Sequence, residues 1–362
     1  MPMPTPSDLR TSTPRSAVPA QPTAEGPWLV ADIGGTHARF GWVDATDLAH
    51  SGSGFQPDHI RRYAVSEFAT VEAAAMAYLA EIASLSGARY AAPRHAAFAV
   101  ATAVLGDWVA FTNSPWRFSR ESLQSRLQLN SLLVLNDFEA LSLSLPGLSV
   151  EQLRFHGVAP SVRPAGALAV IGPGTGLGVA GVVQTHFGWV AVAGEGGHAT
   201  LAASDDFEVE LLAVLRRTHL HVSAERVLSG MGLPLLHTAV AAVLGRAGDA
   251  ALLLTAPQIV ERGLAKTDVV CDRVLDVFCR LLGGFAGNIA LTLGARGGLY
   301  IGGGIVPRLG ERFFASDFRE CFEAKGRFEP YLKAIPTAVI TDTSSALRGA
   351  LLAIGQRKGE LG

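Results

Sequence analysis

From Trp28 onward the apolar positions fall in short runs punctuated by glycine. Residues 28–33 and 39–43 are two such runs with Gly34-Gly35-Thr36 between them, a pattern that predicts strand, turn, strand. Residues 61–65 read as a third strand. The segment VEAAAMAYLAEIA, beginning at Val71, is rich in Ala and Leu and predicts a helix over 71–83. Residues 95–101 read as a buried strand, with 108–112 pairing after the Gly106-Asp107 turn. Ser119 caps the next helix with Glu121 in its first turn, and residues 131–135 form a strand ending in Asn136-Asp137.

The same phrase then returns. Residues 167–171, a glycine turn over 172–176 and residues 177–183 repeat strand, turn, strand about 140 residues later, a hint of internal duplication. Residues 205–293 are mostly helical in pattern. Residues 298–301 form a strand opening onto Gly302-Gly303-Gly304, 337–340 a last strand, and 345–354 a closing helix. Strands followed by helices, twice, predict two α/β lobes with a cleft between them, the closing helix packing back on the first lobe.

Composition narrows this picture. A chain of 362 residues is long enough for two cores, and 49% apolar against 17% charged residues can fill them. A net charge of −2 supplies no field for nucleic acid or an anionic membrane, so a small-molecule substrate is expected. Cys271, Cys279 and Cys321 form no CxxC and no cluster with histidine in the sequence. This argues against disulfides and structural zinc and for buried thiols in a reducing cytoplasm. The first 27 residues hold seven prolines and no apolar core, so they read as a disordered tail. Residues 164–194 lack any Asp, Glu, Lys or Arg but contain eight glycines, which predicts short strands and no membrane span.

Six segments can carry chemistry. Asp32 followed by Gly34, Gly35 and Thr36 offers a metal-holding carboxylate, backbone N–H groups open to phosphate, and a hydroxyl, though a plain hairpin turn would look the same. Gly174, Thr175 and Gly176 sit in GPGTGLG, four glycines in seven residues. It is neither a Walker loop nor a GxGxxG before a helix, and it suits a phosphate cradle. Gly302, Gly303 and Gly304 would let a flat purine lie on the backbone. Asn136-Asp137 could fix a substrate hydroxyl and take its proton. By spacing alone, Asp137 is rather an N-cap for a helix starting at Phe138. Glu195 and His198, flanked by glycines, can face one ligand; zinc is a rival there, but the second helical histidine is missing. Ser223-Ala224-Glu225 unaided looks like a helix start capped by Ser223.

Taken in order, DIGGTHARF from Asp32, LNDFEA from Leu135, GPGTGLG from Gly172, GEGGH from Gly194, SAERVLSG from Ser223 and GGGI from Gly302 resemble the bacterial glucokinases of the enterobacterial type. The resemblance runs from about Leu29 to Ala353. It implies a two-lobed actin-like ATPase (ribonuclease H-like) α/β fold with a central cleft. The implied division is a tail over 1–27, a small domain over 28–147 joined by a C-terminal helix at 343–362, and a large domain over 148–342. It implies Asp137 as general base on the sugar 6-hydroxyl, and Asn136, Glu195, His198 and Glu225 as sugar contacts. Asp32, Gly34, Gly35, Thr36, Gly174, Thr175 and Gly176 would face the ATP phosphates, and Gly302, Gly303 and Gly304 the adenosine. ATP with Mg²⁺, glucose, a homodimer and a cytoplasmic location follow from the same resemblance. His37 departs from the Asn frequent after GGT. With no Cys before residue 271, the chain stands apart from the related kinase and repressor branch that carries a Cys-rich zinc motif. Another hexose (mannose, glucosamine, fructose) or a catalytically silent sugar sensor on the same fold are the competing readings.

Overall fold

The computed structural model describes residues 26–44, 57–87, 90–111, 114–157, 159–161, 164–186, 188–246, 248 and 253–358. The Pro-rich tail expectation falls almost wholly on residues 1–25, outside the described residues.

The strands are β1 (Trp28–Ile33), β2 (His37–Val43), β3 (Asp58–Ala64), β4 (His95–Val100), β5 (Trp108–Ala110), β6 (Arg117–Ser119), β7 (Ser131–Asn136), β8 (Leu153–Phe155), β9 (Leu168–Pro173), β10 (Leu177–Thr185), β11 (Gly188–Gly194), β12 (Gly298–Ile301) and β13 (Thr337–Ile340). The helices are α1 (Val71–Ser86), α2 (Arg120–Arg126), α3 (Asp137–Ser144), α4 (Asp206–Arg216), α5 (Leu233–Val243), α6 (Ala256–Leu264), α7 (Val269–Leu293), α8 (Ile305–Leu309), α9 (Glu311–Phe314), α10 (Phe318–Glu323), α11 (Glu329–Lys333) and α12 (Ser345–Lys358).

One sheet has the order β3-β2-β1-β4-β7 and the other β11-β10-β9-β12-β13, with β8 added at the far edge. In each, three antiparallel strands lead into two parallel ones. The repeated strand, turn, strand phrase of the sequence is thus the visible part of a duplicated topology. The expected pairing of the Trp108 strand with the strand at His95 does not occur. β5 pairs with β6 in a separate hairpin, in register Trp108 to Ser119. The β4–β7 ladder, Ala99 opposite Leu135, occupies the edge it would have needed.

Period-two alternation sorts the central strands into three cores, because these strands are buried on both faces. Leu29, Ala31, Phe98 and Val100 face α1 and its neighbours, which add Tyr78 and Ile82. Ala169, Ile171 and Leu299 face the helical half, where Phe278, Leu282 and Phe318 pack. Trp28, Val30, Ala97 and Ala99 from the first sheet join Leu168, Val170, Ala180 and Val182 from the second in a shared core, filled by Ala140 and Leu143 of α3 and by Leu347 and Leu351 of α12. The closing helix therefore packs on α3, β4 and β1, returning the end of the chain to its beginning.

α7 is long and apolar enough to cross a membrane by length and composition, yet most of it is buried within the helical core. The stretch at 164–194 forms β9, β10 and β11 as the glycine punctuation predicts. All three cysteines are free and buried.

Candidate active site

Five strand ends and turns meet at a cleft of about 1310 Å³ between the two sheets. Asp32, the Gly34–Thr36 turn, Asn136 and Asp137 line it from the first sheet. Gly174, Thr175, Gly176, Glu195, His198 and Glu225 line it from the second, with Gly303 and Gly304 beside them. Gly302 is set back from the surface, where an added Cβ would lie 2.9 Å from the Leu141 side chain.

The β1–β2 turn is closed by Gly34 N–H donating to His37 O at 2.9 Å, which leaves Gly35 and Thr36 with N–H groups lacking an acceptor among the described residues. Thr36 Oγ1 lies 3.1 Å from His37 Nδ1. In the second sheet Gly174 N–H closes the corresponding turn onto Gly176 O at 2.8 Å, and Gly174 O accepts from Gly230 N–H at 2.8 Å. Two of the four glycines in GPGTGLG have a different reason to be there. Gly172 and Gly178 sit opposite each other across β9 and β10, and Cβ atoms on them would come within 2.1 and 1.9 Å of the Phe138 ring. That ring follows directly on Asp137, so the bare backbone of one sheet seats the residue next to the carboxylate of the other.

The expected cap at Asp137 is corrected by one position. Asn136 is the N-cap: its backbone is extended, and its side-chain oxygen accepts from Phe138 N–H at 2.9 Å and Glu139 N–H at 3.3 Å, the usual reach of a capping side chain. Asn136 Nδ2 donates to Thr102 O at 3.3 Å. Asp137 is then the first helical residue of α3, its Oδ1 also accepting from Phe138 N–H at 2.9 Å. Burial pushes the Asp137 carboxyl up to about 7, and the charges of Asp32 and Glu195 add to the rise while the Phe138 N–H opposes it. Burial likewise raises Asp32, against the counter-pull of Arg39. Arg39 Nη1 lies 3.2 Å from Asp32 Oδ2 and donates to Thr343 O at 2.7 Å, tying the base of the cleft to the segment before α12.

On the far side, β11 ends at Gly194 and the chain turns through Gly196–His198, placing Glu195 and His198 at the surface of the cleft. Residues 223–230 form turns rather than the expected helix. Ser223 Oγ does accept from Arg226 N–H at 3.2 Å, but Glu225 N–H bonds to Gly197 O at 2.8 Å and pulls the segment onto the Glu195 turn. Glu225 Oε2 accepts from Leu177 N–H at 2.9 Å, and its Oε1 stands 3.7 Å from His198 Nε2. The result is a set of carboxylates and one imidazole around a small volume.

Sequence reasoning missed the apolar wall. Ala256, Val260 and Leu264 of α6 face the cleft with Ile305 and Arg308 of α8. The apolar spacing of the first three at i, i+4 and i+8 was the available signal, hidden inside a long helical stretch.

This constellation agrees with what the chain matches. A family model described as Glucokinase matches residues 29–357. The chain belongs to the glucokinase family. Glucokinase of Aromatoleum aromaticum is 48% identical over 330 residues, covering 91% of this chain and 94% of that one. The solved glucokinase of an Antarctic psychrotroph superposes with a TM-score of 0.78 at 37% identity, covering 90% of this chain and 97% of the other. A Balamuthia mandrillaris glucokinase in complex with glucose shares the fold, with a TM-score of 0.71 at 19% identity and coverage of 90% and 92%. The glucokinase and related sugar-kinase neighbours establish the actin-like ATPase fold, in which the duplicated sheet order finds its place.

Proposed function

We propose that the chain phosphorylates glucose at the 6-hydroxyl using ATP, with Asp137 as general base. The observation that carries this reading is that Asp137, recessed and raised to about 7, lines one cleft with the Gly35-Thr36 turn of its own sheet and with Glu195, His198 and Glu225 of the other. Sugar hydroxyls are recognised by acceptors that would be left unpaired with the wrong ligand. Glu195, Glu225 and His198 supply them, and Asn136, held by its own capping bonds, contributes from beside Asp137.

Phosphoryl transfer asks for position and charge neutralisation more than covalent work by the protein. Oxygen 6 of the sugar forms the new bond to the γ-phosphorus, the bond to the β,γ-bridging oxygen breaks, and the hydroxyl proton passes to Asp137. The N–H groups of Gly35, Thr36, Thr175 and Gly176 would serve the phosphates, and the Ala256, Val260 and Leu264 wall with Gly303 and Gly304 suits a purine. The like-charged crowd of Asp32, Asp137 and Glu195 fits the Mg²⁺ carried by ATP, which supplies charge neutralisation when bound. Closure of a small domain over 28–147 with the C-terminal helix onto a large domain over 148–342 would exclude water. A cytoplasmic homodimer belongs to the same proposal and is supported by the family resemblance alone; light scattering tests it.

A coupled assay for glucose 6-phosphate with ATP, Mg²⁺ and glucose is the test, run beside Asp137→Ala. Turnover in the parent and a drop of roughly 10²–10⁴-fold in the variant are expected. Near-normal turnover in the variant removes Asp137 from the role.

A further inference from the structure

Behind the apolar wall of the cleft, three residues that the reaction does not use come together. His237 lies on α5, Asp268 caps α7, and Cys271 lies in the first turn of that helix. One imidazole nitrogen, one carboxylate oxygen and the sulfur all lie within 4.8 Å of one another. His237 is more than 30 residues from the other two, so no Cys/His cluster is visible along the sequence.

The three side chains have the chemistry of a soft divalent site. A tetrahedral Zn²⁺ bound at about 2.0–2.3 Å holds its ligand atoms roughly 3.3–3.7 Å apart, so shifts of about an ångström close the cluster. His237 and Cys271 are 2% and 0% exposed, while the Asp268 side chain is 21% exposed and gives an entry path. Asp268 Oδ1 is already oriented by Val270 N–H at 2.9 Å and Cys271 N–H at 3.0 Å, an outer shell of the kind that fixes a ligating carboxylate. Arg262 Nη1 stands 3.9 Å from Asp268 Oδ2. A dication held by one thiolate and one carboxylate is a neutral unit, so this guanidinium faces no net positive charge.

We propose that His237, Asp268 and Cys271 form a binding site for a thiophilic divalent cation of the Zn²⁺ class, with water completing the shell, that clips α5 to the start of α7. The thiol proton leaves to the buffer on binding, and no electron changes hands. The site is separate from any Mg²⁺ on ATP, because a hard cation prefers oxygen ligands.

The test is Co²⁺ titration of the full chain, chelator-stripped and free of nucleotide, followed by absorption. One equivalent with a thiolate-to-cobalt charge-transfer band, displaced by Zn²⁺ and lost in Cys271→Ser, is expected. His237→Gln should weaken binding by more than the roughly 10–100-fold that losing an outer-shell partner costs. Absence of the band in the parent, or its survival in Cys271→Ser, overturns the proposal. Should Cys271→Ser fail to fold, parent-like affinity in His237→Gln overturns it equally.

Discussion

At the base of the cleft, burial and then the neighbouring carboxylate of Asp32 raise the proton affinity of Asp137. Each stands at or just beyond the end of a parallel-paired strand of the first sheet, and burial acts on both in the same direction.

The base must be unprotonated to accept a proton, so kcat/KM should rise with pH and level off above an apparent pKa near 7. Asp32→Asn removes a like charge and should move that acid limb to lower pH, besides lowering the plateau. A pH–rate profile of both proteins decides it; a limb that stays in place shows that Asp32 does not govern Asp137.

The same shift sets a stability cost. A carboxyl raised from 3.8 to about 7 on folding favours the folded state at low pH, and that contribution is lost as pH rises through 7. Asp137→Asn should therefore melt higher than the parent at pH 8, by about 1–2 °C for each kcal/mol relieved. At pH 4, near the unfolded value, the two should converge. Equal melting at pH 8 would mean the raised affinity is not felt by the fold.

Gly178→Ala should damage the enzyme from the opposite sheet. Its Cβ would fall 1.9 Å from the Phe138 ring, so the ring and the start of α3 must move. Overpacking of this kind costs about 1–3 kcal/mol. Urea unfolding should show that loss, turnover should fall with it, and Phe138→Leu placed on top should restore part of both. An unchanged midpoint sinks the account of why glycine stands there.

Glu195→Gln should weaken glucose binding by roughly 10–150-fold, the worth of a hydrogen bond to a charged group, and leave ATP binding nearly unchanged. Isothermal titration with each ligand separates the two. Loss confined to ATP would invert the assignment of the cleft.

Much of this was legible from the chain. The glycine turns after Ile33 and Ile171 marked both sheets, because a strand that must reverse within a few residues advertises it locally. The site residues were legible as motifs, and all but Gly302 line one cleft. What stayed hidden depends on partners far off in sequence. β5 pairs with β6 because β7 occupies the flank of β4, a fact of register that no local pattern carries. The cap fell to Asn136 because its side-chain oxygen alone spans both Phe138 and Glu139 N–H, and Asn-Asp spacing cannot choose between neighbours. Residues 223–230 have a helix-start sequence, but the Glu225 bonds to Gly197 O and Leu177 N–H override it. Gly172 and Gly178 share the glycine-rich pattern of a phosphate cradle, but the Phe138 ring packed against both comes from a distant segment and leaves no local signal.

The return of α12 to β1 and β4 also orders events during synthesis. Val30, Ala97 and Ala99 leave the ribosome early, yet Leu347 and Leu351, which cover them, are translated some 245 residues after Val100 ends β4. At about 5–20 residues per second that gap is roughly ten to fifty seconds, during which α3 covers this face of the first sheet only in part and the share that α12 supplies is missing. The first sheet is thus completed only after the second has been made, and the apolar face that awaits α12 is where a chaperone would have the most to hold.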